Sequence, residues 1–111
     1  MELYLQDIID SIEKIQQYTA NLTEDEFYSD NKTIDAVARN LQIIGEAIKK
    51  VPPEIRTAYA EIDWRSIAGL RVIITHNYFS VTLEVIWGIL QEELSPLKAQ
   101  ILNILKTNFP Q

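Results

Sequence analysis

An arginine, the only histidine of the chain and a tyrosine stand at Arg71, His76 and Tyr78, in the order Arg-x-x-x-x-His-x-Tyr. Imidazole titrates close to neutral pH, so His76 suits proton transfer under physiological conditions. A guanidinium holds a fixed fork of N–H donors that matches phosphate oxygens, which suits Arg71 to a developing phosphorane. The pair therefore fits cleavage of RNA without a metal, in which the substrate's own 2′-hydroxyl is the nucleophile and the protein supplies a proton acceptor and positive charge. Five residues turn an ideal helix by about 500°, so the two side chains diverge by roughly 140° if the helix runs on regularly. They converge only if the helix ends there or a second chain takes part. Two copies meeting at a dimer seam would also provide two histidines, one for base work and one for acid work.

The same residues fit structural roles equally well. A lone histidine at a helix end is more often a C-cap or a satisfied buried group than a catalyst. Arg71 has carboxylates such as Glu46 or Glu84 available as ion-pair partners, and Tyr78 and Phe79 suit packing.

The elements that must hold these groups read as helices throughout. Glycine and proline are sparse, three and four in 111 residues, and the segments between them carry apolar residues at steps of three and four. A first helix spans about residues 2 to 20 and places Leu5, Ile8, Ile9, Ile12 and Ile15 on one stripe. Residues 21 to 30 form a polar connector with a short helical turn, Thr23 and Glu26 standing at capping-box spacing. The second long helix runs from about Asn31 to Lys50, with Ile34, Val37, Leu41, Ile44, Ile48 and Val51 along its seam, and Pro52-Pro53 ends it. After a turn around Glu54 to Tyr59, Asp63 is the N-cap of a third helix that begins at Trp64 and reaches about Thr75. A fourth helix follows the corner at His76 to Val81, with Val85, Ile86, Ile89 and Leu90 inward. Ser95 as N-cap and Pro96 at the first helical position start the last helix, with Leu97, Ile101, Ile104 and Leu105 inward. The expectation is one all-α domain over residues 1–111, an up-and-down bundle of four to five helices. Its apolar supply at Trp64, Ile67, Ile73, Ile74, Phe79 and Trp87 exceeds the needs of a monomer and points to a homodimer through helices three and four.

Bulk composition narrows the chemistry. No apolar run approaches the roughly 20 residues of a membrane span, and the first residues lack the basic and apolar segments of an export signal. A soluble cytoplasmic protein with no membrane partner is expected. With no cysteine and one histidine, neither disulfides nor a thiolate or multi-histidine metal site fits one chain, and no metal or cofactor is expected. A net charge of −6 excludes a protein that coats nucleic acid by neutralising many phosphates. The four arginines, at 39, 56, 65 and 71, all lie mid-chain, which allows a focused basic cleft on an acidic body.

The stretches Arg39-Asn40-Leu41-Gln42-Ile43-Ile44-Gly45-Glu46-Ala47 and Trp64-Arg65-Ser66-Ile67-Ala68-Gly69-Leu70-Arg71, followed by His76-Asn77-Tyr78-Phe79-Ser80-Val81 and Trp87, closely resemble the signatures of the HepT-like branch of the HEPN superfamily. The resemblance covers nearly the whole chain. It implies a HEPN-type bundle that dimerises with Arg71 and His76 at the seam and acts as a metal-independent RNA endonuclease, the toxin of a type VII-like toxin–antitoxin pair. It further implies a nucleotidyltransferase antitoxin that silences the toxin by transferring AMP to Tyr78. One residue departs from the pattern: the family usually has a polar residue, commonly Asn, directly after the motif arginine, where this chain has Val72. That departure keeps open a second reading, a non-catalytic helical subunit that binds a nucleotidyltransferase or a nucleotide.

Overall fold

Helix α3 (Asn31–Lys49) is the member around which the others are arranged. It packs along α1 (Glu2–Thr19) on one side and α5 (Trp64–Asn77) on the other, while α2 (Glu24–Tyr28) also lies against it. Helix α7 (Leu94–Asn108) covers a further side of α1 and carries α6 (Leu83–Glu92) with it, and α4 (Pro53–Ala58) links α3 to α5. This computed structural model describes residues 2–77 and 83–109, and for residues 71–77 the backbone alone. Among the described residues there is no strand, and none of the helices is long and apolar enough to cross a membrane. The five long helices are the expected bundle; α2 and α4 are the two short turns read in the connectors.

Sequence periodicity explains this order. The α1 stripe Leu5, Ile8, Ile9, Ile12 and Ile15 is buried in full, and so is the α3 seam from Ile34 through Ile48, with Val51 just beyond it. Burial on α3 extends past the seam to Ala38, Asn40, Gly45 and Ala47, whose small or short side chains let two helices approach it at once. Asn40 is the polar exception, and its Nδ2 donates to the Ala36 carbonyl at 2.9 Å, so its amide is not left unpaired among apolar neighbours. Caps set the ends. Thr23 accepts from the Glu26 backbone N–H while Glu26 accepts from that of Thr23, a complete capping box, and Asp30 accepts from the Thr33 N–H at 3.0 Å. Pro52 and Pro53 stop α3 and start α4, because neither can donate to a continuing helix.

The junction of the last two helices corrects the sequence reading. Helix α7 begins at Leu94, not after Ser95, and its N-cap position Glu93 makes no side-chain capping bond. Pro96 is the cause: it cannot donate to the Glu92 carbonyl four residues back, so the break falls at Glu92–Glu93 and the proline sits in the first turn, where no donor is needed. Ser95, freed from capping, accepts from Gln16 Nε2 at 3.1 Å, and Lys98 pairs with Glu13 at 3.1 Å, tying α7 to α1. Val85 is likewise displaced from the expected inner face and is 45% exposed. It stands about 100° around α6 from the fully buried Ile86, at the edge of the stripe formed with Ile89 and Leu90.

Two of the aromatics counted as surplus are used within the chain. Trp64 is buried, its indole N–H donating to the Tyr59 carbonyl at 3.0 Å, and Trp87 packs its ring 5.3 Å from that of Phe27. Since α3 touches most of the bundle, truncating its seam should be felt throughout. Leu41→Ala is expected to lower stability by about 2–5 kcal/mol in urea unfolding followed by circular dichroism, the usual cost of an unfilled core leucine.

Candidate functional site

Helix α5 is built to hold its register. Asp63 caps it, Oδ1 accepting from the Ser66 backbone N–H at 3.2 Å and Oδ2 from the Ser66 hydroxyl at 2.7 Å. Those bonds draw the Asp63 carboxyl below its ordinary range, and the nearby Arg65 charge lowers it further. Trp64 anchors the first turn and Leu70 is buried against the core. The backbone then remains helical through Asn77, two residues beyond the expected end.

That continuity decides how positions 71 and 76 are related. They lie on one regular helix, five residues apart, and so about 140° apart around its axis. One chain therefore does not put both positions on one side of α5. Position 71 comes two turns after the buried Trp64 and shares its stripe, whereas position 76 comes two turns after Gly69. At Gly69 an added Cβ would meet no atom of the described residues within 4 Å. This space alongside the stripe of position 76 was not anticipated from the sequence; a mid-helix glycine that no neighbour requires was the available signal. The side chains of Arg71, Val72 and His76 lie outside what the structure describes, as does Tyr78 altogether, together with Phe79.

The surroundings are charged unevenly. Arg39 and Arg65 are exposed, while Arg56 is half-buried and its Nε donates to the Val51 carbonyl at 3.0 Å, just past the end of α3. Tyr28 donates to Glu24 Oε2 at 2.5 Å, and that bond, with burial and the charges of Glu24, Glu84 and Asp25, pushes its phenol up to about 12. Among the described residues no group of three or more Asp, Glu or His side chains is placed to hold a metal ion.

An all-α bundle whose third long helix carries an arginine and a histidine at this spacing defines a class of helical proteins with a motif-bearing α5. The chain belongs to the HepT-like ribonuclease family, whose model matches residues 8–104. It is 38% identical over 103 residues to a protein of Thermococcus cleftensis named as a probable ribonuclease HepT, covering 93% of this chain and 94% of that one. A Methanocaldococcus jannaschii protein named as a gamma-glutamylcyclotransferase and candidate RNase is 41% identical over 106 residues, 96% of this chain; the chain spans 48% of that protein's length. A candidate RNase of Caldanaerobacter subterraneus is 33% identical over 103 residues, with 93% of this chain and 92% of that one covered. No solved structure matches the chain.

The Asp63 cap gives a pH dependence of definite sign. A carboxyl lowered by folding contributes stability above its unfolded value of 3.8, and that contribution disappears as pH falls through the folded value. The urea midpoint of the native chain should therefore exceed that of Asp63→Asn at neutral pH, and the difference should close as the solution is acidified below the ordinary carboxylate range. A gap that persists unchanged into strong acid would rule out the charged cap.

Proposed function

We propose that this protein is a metal-independent RNA endonuclease, the toxin of a type VII-like pair, acting as a homodimer in which Arg71 and His76 of facing copies complete one cleft. The supporting observation is the unbroken α5 helix within a family match of residues 8–104: its regular backbone separates positions 71 and 76 around the axis, so a composite site answers the geometry better than a single-chain one. In this cleft one imidazole takes the 2′-hydroxyl proton as the 2′-oxygen bonds to phosphorus. The bond from phosphorus to the 5′-oxygen then breaks, and the leaving oxygen takes a proton from the second, charged imidazole. The products are a 2′,3′-cyclic phosphate and a free 5′-hydroxyl. Arg71 balances the charge that accumulates on the equatorial oxygens.

Silencing follows from the same site. The phenol oxygen of Tyr78 attacks the α-phosphorus of ATP on a nucleotidyltransferase antitoxin; pyrophosphate leaves and the phenolic proton passes to a base. The attached AMP adds a negative charge and a nucleotide's bulk two residues from His76, where substrate phosphate must sit. Val72 favours one alternative, a non-catalytic subunit that docks a nucleotidyltransferase or a nucleotide, because an apolar side chain there cannot assist a phosphate by hydrogen bonding.

Purified protein should cut RNA in the presence of EDTA, and His76→Ala should lose the activity by about 100-fold or more, as expected for removal of an acid–base group. Cleavage at the native rate by His76→Ala would refute the assignment; an intact, folded dimer without activity would establish the non-catalytic subunit instead. Intact-mass analysis after incubation with the cognate transferase and ATP should show one added AMP on the native chain and none on Tyr78→Phe. An adduct that survives in that variant would place the modification elsewhere.

A further inference from the structure

We propose that the groove between α5 and the α6–α7 bend docks a helical segment of a partner protein that carries apolar anchors flanked by lysine or arginine. The groove has a volume of about 460 Å³ and is lined by residues of all three helices. Its floor is apolar, formed by Ile67 and Leu70 of α5, Val85 and Ile89 of α6 and Leu97 of α7. Val85 is 45% exposed in this groove and Ile67 only partly buried, so apolar surface is open to solvent where a bundle helix ordinarily closes its core.

The rim decides what fits. Asp63, Glu92 and Glu93 line the groove, and no lysine or arginine is among its described lining residues; Arg65 stands beside Asp63 but does not line it. Hydrogen bonding to Ser66 holds the Asp63 carboxyl below its ordinary range. The C-terminus of α6 and the N-terminus of α7 meet at this bend, so their opposite dipole ends largely offset each other and the rim's charge comes from its carboxylates. Three carboxylates around an apolar floor together select cationic N–H donors flanking an aliphatic stripe, the pattern of an amphipathic helix laid in a groove. A second copy of this chain is the less suitable occupant, since it bears the same net charge of −6 and the same rim. The assignment is independent of RNA cleavage.

A synthetic helical peptide with leucines at i, i+4 and i+7 flanked by lysines serves as probe, with a glutamate-flanked peptide of the same leucine pattern as control. Fluorescence anisotropy against the whole chain should show binding of the lysine peptide that weakens with salt, and binding of the glutamate peptide weaker by about tenfold or more. Glu92→Lys with Glu93→Lys should reduce affinity for the lysine peptide by about tenfold, and Val85→Glu should do so by blocking the floor, with circular dichroism unchanged in both. Equal affinity for the two peptides, or native affinity in the charge-reversed variant, overturns the proposal. So does a dimer that Val85→Glu dissociates in sedimentation, because the groove is then filled by another copy. RNA cleavage measured on the Glu92→Lys with Glu93→Lys variant keeps the two readings apart: the proposed active-site residues are untouched, so its activity is retained whichever way the peptides behave.

Discussion

Burial of α3 on both flanks is the constraint from which the rest of the structure follows. A helix of 19 residues that touches α1, α2 and α5 buries about half of its circumference, and the run of Ile34, Val37, Leu41, Ile44 and Ile48 supplies only the middle of that surface. The remainder comes from alanine, glycine and one asparagine whose amide is bonded back to its own helix. Larger residues at those flanking positions would hold α1 and α5 apart, and an apolar face on either would then lack a partner. The orientation of α5, and with it everything the motif can do, is inherited from this packing.

From that inheritance comes a restriction on chemistry. A short helix ending before position 76 would have let the chain curl and bring a guanidinium and an imidazole together by itself. Instead the Asp63 cap, the Trp64 anchor and an unbroken backbone to Asn77 give a continuous helix, and a regular helix fixes the angular separation of its residues. Rigid elements hold catalytic groups more accurately than loops do, at the cost that groups on opposite flanks must find their complements on another body. Gly69, with free space where a side chain would stand, lies on the stripe of position 76 rather than on the stripe of Trp64.

Much of this was legible beforehand because amphipathic helices announce themselves. The α1 and α3 stripes, the Thr23 box, the Asp63 cap and the proline stop after α3 all rest on local rules that tertiary structure had no reason to override. The misreadings share a cause. Ser95-Pro96 matches the pattern of a helix start, but a proline is satisfied anywhere in the first turn, so only packing could decide that the break lies before Leu94. Val85 carries the right residue type for a core and stands at the boundary of the buried arc, where periodicity cannot separate inside from edge. Trp64 and Trp87 looked surplus because a count of apolar residues does not know that an indole will bond to the Tyr59 carbonyl or lie on Phe27. The spacing of Arg71 and His76 was readable to the degree, but whether the helix would continue through it was not.

Charge ties the fold to the kind of recognition it permits. The chain is acidic overall, and its carboxylates are spread along it; three of them, Glu24, Asp25 and Glu84, lie near Tyr28, and three more, Asp63, Glu92 and Glu93, line the groove. A polyanion approaching such a body is repelled over most of the surface and admitted only where arginines outnumber carboxylates. The arginines available for that purpose are only four, at 39, 56, 65 and 71. Few phosphate contacts mean weak non-specific affinity and a shallow dependence on salt, the reverse of a protein that coats its nucleic acid. In the proposed ribonuclease an acidic scaffold would favour substrates whose shape delivers a phosphodiester to the motif, and the proposed groove would take partners of the opposite charge.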